Sequence, residues 1–293
     1  MLLDVKRLMK ILTAWLLGAC LGHIAAHAQD STEVVRPVHY SMMGEVGHAS
    51  LLDSYLTPIT YTGLNMGLSF EHFQATGFNP DKWVRELELS GDYSYVENPV
   101  GNHEMHALMG EARWSLMRRW RDVPVKRLQL MAGPMIDFRG GIIYNANNSN
   151  NVVSGRINLS VGLQAAAVYN TRLFGKPLAL RYQASLPVLG AFFSPEYDEA
   201  YYEIFVGNRR HLAHLGWWGS RFDMNNLVTA DWRLGGTILR LGYRCRIEKS
   251  WVSHIDTRTV THSVVIGLGG EILNLSPSRK LSDKAQVMSA MFE

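Results

Sequence analysis

The chain has 293 residues and a formal net charge of +3 from 29 basic and 26 acidic side chains. So even a balance gives no basic face for nucleic acid, and no nucleic-acid-binding motif occurs. Its two cysteines are Cys20, in the leader, and Cys245, so no intramolecular disulfide closes the body of the fold; beyond the leader, the lack of 18 uninterrupted apolar residues excludes a spanning helix but not a barrel, whose signal is alternation.

In chain order, a charged start (Lys6, Arg7, Lys10), the apolar run "ILTAWLLGACLG" and "AHA" at 26–28 read as a secretory signal over 1–28, with the mature protein starting at Gln29. A second reading takes "LGAC" at 17–20 as a lipobox with Cys20 acylated. Either way the chain is expected to leave the cytoplasm. Residues 29–39 are expected to form an N-terminal periplasmic segment, and 40–272 the main domain.

That domain alternates. In "VRELELSGDYSYVE" (84–97), Leu87, Leu89, Tyr93 and Tyr95 share one face, with Glu86, Glu88, Ser90, Asp92 and Ser94 on the other, a period of two. "VVSGRINLSVGLQAAAVYN" (152–170) sets Ile157, Leu159, Val161 and Leu163 against Arg156, Asn158, Ser160 and Gln164. "KRLQLMAGPMIDFRGGI", "PLALRYQASLP", "NLVTADWRL" and "THSVVIGLGGE" do so less cleanly. In "ILRLGYRCRIE" (238–248), bulky apolar residues at 239, 241, 243, 245 and 247 interleave with Arg240, Gly242, Arg244, Arg246 and Glu248. Such strands exceed the usual globular length and suffice to cross a bilayer at a tilt.

The spacers predict ten spans, at 40–50, 57–74, 84–96, 103–118, 127–143, 153–171, 177–192, 224–234, 237–250 and 257–272, or twelve if the segment from Ser194 to Arg221 hides a hairpin. The expected fold is all-β: an antiparallel up-and-down transmembrane β-barrel with short periplasmic turns, longer external loops and both ends in the periplasm. A soluble secreted β-sandwich binding protein also alternates and is the competing architecture. Aromatic residues near strand ends (Tyr40, Tyr61, Trp83, Tyr95, Trp114, Tyr144, Tyr169, Trp232, Trp251) favour the barrel, as interfacial girdles.

If lipid meets the apolar face, the other lines a lumen. Glu71, Glu86, Glu88, Asp92, Glu111, Asp137, Asp231, Glu248 and Glu271 would then face Arg113, Arg127, Arg139, Arg156, Arg181, Arg233, Arg240, Arg244 and Arg246. Interleaved acids and arginines in a narrow barrel predict ion pairs across the interior and a plugged or very narrow lumen.

"LPVLGAFFSPEYDEAYYEIFVGN" (186–208) and the segment 220–272 from "SRFDMNNLVTADWRL" to "VVIGLGGEI" resemble a family of uncharacterised outer-membrane β-barrel proteins of Gram-negative bacteria. The resemblance implies fold and location and carries no catalytic residues. It departs from the outer-membrane pattern at its end: residues 273–293 follow the last span as a tail, or complete the sheet through "QVMSAMF".

Chemistry at a barrel rim needs a nucleophile and base in hydrogen-bond reach. "SWVSHID" offers Ser253, His254 and Asp256 as candidates for an acyl hydrolase or transferase acting on lipid. "HLAH" (211–214) suits a metal only with a third ligand, so neither metal nor cofactor is expected. "WW" (217–218) suits an interfacial anchor or a contact platform. The expected function is a narrow or plugged outer-membrane barrel with a binding, transport or envelope-structural role. Its expected partners are outer-membrane lipid, the barrel-assembly machinery and a small or lipidic ligand.

Overall fold

In the computed structural model, residues 34–148, 151–197, 199–207, 211–273 and 286–292 are described. The leader with Cys20, Asp198 and most of the tail lie outside them. The described residues 34–273 and 287–292 belong to one compact unit, which holds the barrel.

After a two-residue strand β1 (Val34–Val35), the chain runs through β2 (Val38–Asp53), β3 (Thr57–Ala75), β4 (Trp83–Glu97), β5 (Glu104–Arg121), β6 (Leu128–Tyr144), β7 (Val153–Leu173) and β8 (Lys176–Phe193). A short helix α1 (Tyr201–Val206) and β9 (Ala213–Trp217) precede β10 (Arg221–Leu234), β11 (Thr237–Val252) and β12 (Ile255–Ile272); β13 (Gln286–Val287) follows. Each long strand pairs antiparallel with its sequence neighbour, β12 pairs with β2, and β8 pairs with β10. The result is a closed ten-stranded barrel with β9 as an extra strand. A sandwich is thereby excluded, and so are twelve strands, because β9 pairs with β8 alone.

Closure leaves none of the ten strands with a free edge along its whole length, and the pleat sends alternate residues in and out. On β11, Arg240, Arg244 and Arg246 are buried, while Leu241 and Tyr243 are exposed on the outside. The barrel therefore inverts a soluble protein: apolar outside, charged inside.

Connection lengths do not alternate strictly. At the end carrying the termini, the turns 174–175 and 235–236 are tight while 76–82 and 122–127 are longer. At the other end, here called the loop end, 54–56 and 253–254 are tight, and only 98–103, 145–152 and 194–220 are longer. Tightness follows backbone chemistry. Phe174 and Gly175 both take positive φ (50° and 75°), as a two-residue hairpin of the favoured twist requires.

Two aspects of the inward and outward assignment differ from the sequence reading. Tyr61 points inward and is buried, packed with Leu51, Tyr55, Met105 and Ile143. Arg127 sits exposed in the 122–127 turn, with φ of 68°, outside the lumen.

Candidate functional site

The lumen is the part of the molecule with built chemistry. Because β11 places an inward side chain every second residue, Arg240, Arg244 and Arg246 climb its inner wall, and β4 does the same with Glu86, Glu88 and Asp92. Near the termini end Arg181 reaches Glu71 at 2.7 Å and Glu86 at 3.1 Å. Arg240 takes the other Glu71 oxygen at 2.8 Å and also contacts Asp231. Glu71 thus bridges two guanidinium groups.

Higher up, Arg244 lies 3.3 Å from Glu45 and also contacts Glu88. Arg113 meets Glu88 at 3.1 Å, Asp137 at 3.3 Å and Glu111. Arg246 pairs with Glu45 at 2.9 Å. Arg139 gathers Asp92 (3.1 Å), Glu111 (3.1 Å) and Glu248 (2.7 Å). Toward the loop end Arg156 pairs with Asp53 at 2.7 Å and Arg221 with Asp223 at 2.5 Å. At the termini mouth Arg233 contacts Glu271. Glu45, Asp53, Arg221 and Asp223 also face the lumen, at inward positions that the sequence pattern did not single out. β2 hides its phase, since Met43 on the inward side is as apolar as its outward neighbours.

Burying so many charges is tolerable only because each guanidinium meets a carboxylate; an isolated buried ion costs several kcal/mol. Each end of the column also carries an apolar cap. At the loop end Ala49, Leu51, Tyr55, Leu56, Tyr61 and Val96 form an apolar cap, against which Tyr201 of α1 packs. The Tyr55 hydroxyl donates to the Glu199 carbonyl at 2.8 Å, and the Tyr201 hydroxyl accepts from the Gly155 N–H. Burial pushes both phenols above the usual tyrosine range, so each keeps its proton.

At the termini end the cap is the chain's own tail. Ala290, Met291 and Phe292 are buried against Phe73, Val84, Met117, Met131, Val168 and Ile238. Arg119 donates to the Ser289 carbonyl (2.8 Å) and Asn170 to that of Met291 (3.3 Å). The Arg233 guanidinium lies 4.7 Å from the Phe292 ring centre. Nothing in the composition of "QVMSAMF" distinguishes this docking from a last strand.

The rim candidates are arranged differently. Ser253 and His254 are the two central residues of the β11–β12 turn, at φ of 50° and 62°. Asp256 is the second residue of β12 and lies 3.9 Å from Arg258. Among the described residues no hydrogen bond links the side chains of Ser253, His254 and Asp256. His214 faces the Ser194 carbonyl at 3.0 Å and His211 faces Glu196 at 3.4 Å. Among the described residues no three His, Cys, Asp or Glu side chains converge as metal ligands.

A family model described as a protein of unknown function, DUF3316, matches residues 8–279, and the chain belongs to that family. No curated protein matches the sequence. Solved structures that the barrel resembles include the outer membrane protease OmpT from Escherichia coli (7% identity, TM-score 0.43, covering 85% of this chain and 99% of that one). Others are the β domain of the Bordetella autotransporter BrkA (12%, 0.39, 81% and 100%) and an outer membrane channel from Pseudomonas putida F1 (10%, 0.32, 85% and 100%).

Proposed function

We propose that this DUF3316 protein is an outer-membrane barrel kept shut by its own side chains, acting by binding or by reinforcing the envelope and not by conduction. The outer surface supports the membrane setting. Met42, Leu68, Leu108, Leu163, Val264 and Leu268 are all more than half exposed, far more contiguous apolar area than a soluble monomer leaves in water. On β4, Trp83 and Tyr95 bracket about twelve residues, roughly 40 Å along the strand and on the order of 28 Å of height at a 45° tilt, which matches a hydrocarbon layer. Outer-membrane lipid is then the solvent of that face, the barrel-assembly machinery the route of insertion, and a cleaved leader over 1–28 the route of export.

The observation that carries the closed reading is the capped charge column, in which each mid-lumen guanidinium from Arg113 to Arg246 lies against a carboxylate. No comparable geometry supports the hydrolase reading at Ser253, His254 and Asp256. The test is reconstitution of the detergent-purified, heat-modifiable protein in planar bilayers. Silence, or rare brief openings only, is expected. A large stable conductance overturns closure, and a chain that is monomeric and freely soluble without detergent overturns the membrane setting.

A further inference from the structure

Where β8, β9 and β10 meet, the wall is not fully laddered. β8 pairs with β10 only from Leu178 to Ser185, and with β9 only from Leu189 to Phe193. Leu186, Pro187 and Val188 have no partner on that side, and Val188 has none on β7 either, where the register skips it. Opposite them, residues 218–224 cover the height that three residues cover on β8, a wide bulge in the barrel wall. Inward residues are odd-numbered up to Ser185, whereas Phe192 is the buried one beyond it, so the extra residue flips the strand. Pro187 has no N–H to offer a neighbour; its carbonyl accepts from the Trp218 indole at 3.1 Å. The patch over the gap is thus a side-chain contact.

Behind the gap are two small cavities that share Pro187 and Asp223 in their linings. Asn158, Ser160, Asp223 and Asn225 face them, each at least nine-tenths buried. Asn158 Oδ1, Ser160 Oγ, Asp223 Oδ1 and both side-chain polar atoms of Asn225 have no hydrogen-bond partner. Among the described residues Asp223 has one ion-pair partner, Arg221, on its other oxygen. Of the open valences on these four side chains, Asn158 Oδ1, Asp223 Oδ1 and Asn225 Oδ1 are acceptors, and the larger cavity is also lined by Glu111, Asp137 and Glu248 beside Arg113, Arg139 and Arg246.

We propose that this seam is a side entrance for the headgroup of a membrane amphiphile bearing a primary ammonium, seated among Asn158, Ser160, Asp223 and Asn225. The proposal rests on the membrane-embedded binding reading above and names the ligand class for it. Size selects the group: the cavities, about 30 Å³ and 10 Å³, take something as small as water, which an ammonium is and a sugar ring or trimethylammonium is not. Chemistry selects it as well, since an ammonium brings three donors and no acceptor to the open oxygens of Asn158, Asp223 and Asn225, with four carboxylates against three guanidinium groups around the larger cavity. The Asn225 amide nitrogen remains to donate to an adjoining phosphate oxygen. The acyl tails then lie on the outer face beside Leu189 and Trp217, both exposed there and paired with each other across β8 and β9.

The test is to reconstitute the full-length mature protein in vesicles of equimolar phosphatidylethanolamine and phosphatidylcholine, extract it in mild detergent and identify retained lipid by native mass spectrometry. A site that accepts from a ligand's N–H groups rejects the analogue that lacks them, so phosphatidylethanolamine is expected in roughly tenfold or greater excess. The variants Asn225→Leu and Asp223→Asn, each first checked for the heat-modifiable folded band, are expected to bring the ratio close to parity. Equal retention of both lipids, retention of neither (cavities that hold water only), or a preference that survives both substitutions overturns the proposal. Failure of the protein to enter vesicles at all counts against the membrane setting instead.

Discussion

At the loop end the lumen is closed by the wall itself: Tyr55 and Leu56 belong to the turn joining β2 and β3, and Tyr201 of α1 leans on them from the long connection after β8. At the termini end it is closed by Ser289–Phe292, a segment that follows the last barrel strand and folds back inside. Both caps are apolar, and both serve the charge column between them by excluding water, which strengthens each ion pair there. They differ in what fixes them. The loop-end cap is part of the chain that joins β2, laddered to β12 up to Asp53, with β3, laddered to β4 from Thr62 on, so it opens only if the barrel does. The tail is held by packing and a few hydrogen bonds, so it can leave while the barrel stays intact.

The largest effect is expected where both caps are irrelevant, in the column itself. Glu71→Ala strips Arg181 and Arg240 of a shared partner in a site with almost no exposure. Removing one member of a buried ionic set costs about 3–5 kcal/mol, so the urea midpoint of the refolded barrel should fall steeply. An unchanged midpoint would mean that water reaches this level of the lumen and that neither cap seals.

The strand pattern was legible because lipid and lumen impose a strict period of two. In "ILRLGYRCRIE" that period separates Arg240, Arg244 and Arg246 from Leu241 and Tyr243, and the ten strands lie within a few residues of the spans it marks. Pairing was not legible. Arg244 on β11 meets Glu88 on β4 across the lumen, a relation set by barrel shear and not by any spacing along the chain. The rule also fails near the mouths, where the interior turns apolar and the two faces look alike. Tyr61 reads as a girdle residue for that reason, yet it belongs to the loop-end cap. The seam at Pro187 was not legible, because what it opens onto depends on Asn158 and Asp223 from other strands.

Phe292→Ala probes the removable cap. Truncating a buried phenylalanine costs about 3–5 kcal/mol in a rigid core, and here the ring also loses its contact with the Arg233 guanidinium. The tail has an escape that a core residue lacks, because it can undock. The loss is therefore expected as roughly a hundredfold faster proteolysis of the C-terminal segment, with the unfolding midpoint of the barrel nearly unchanged. A barrel that melts early along with its tail would erase the distinction between the two ends.

Tyr55→Phe is the matching change at the fixed cap, and the smallest. It deletes only the hydroxyl that donates to the Glu199 carbonyl and leaves the ring against Tyr201, whose centre lies 5.6 Å away in an edge-to-face contact. Losing one such hydrogen bond costs about 1 kcal/mol. Because the turn is tied to β2 and β3 by ladder, that loss should appear as a slight drop in the urea midpoint with no new protease site at 54–56. Local cleavage there, at a rate comparable to that at the undocked tail, would show that the loop end is held by α1 and not by the wall, and the two mouths would then close by one mechanism.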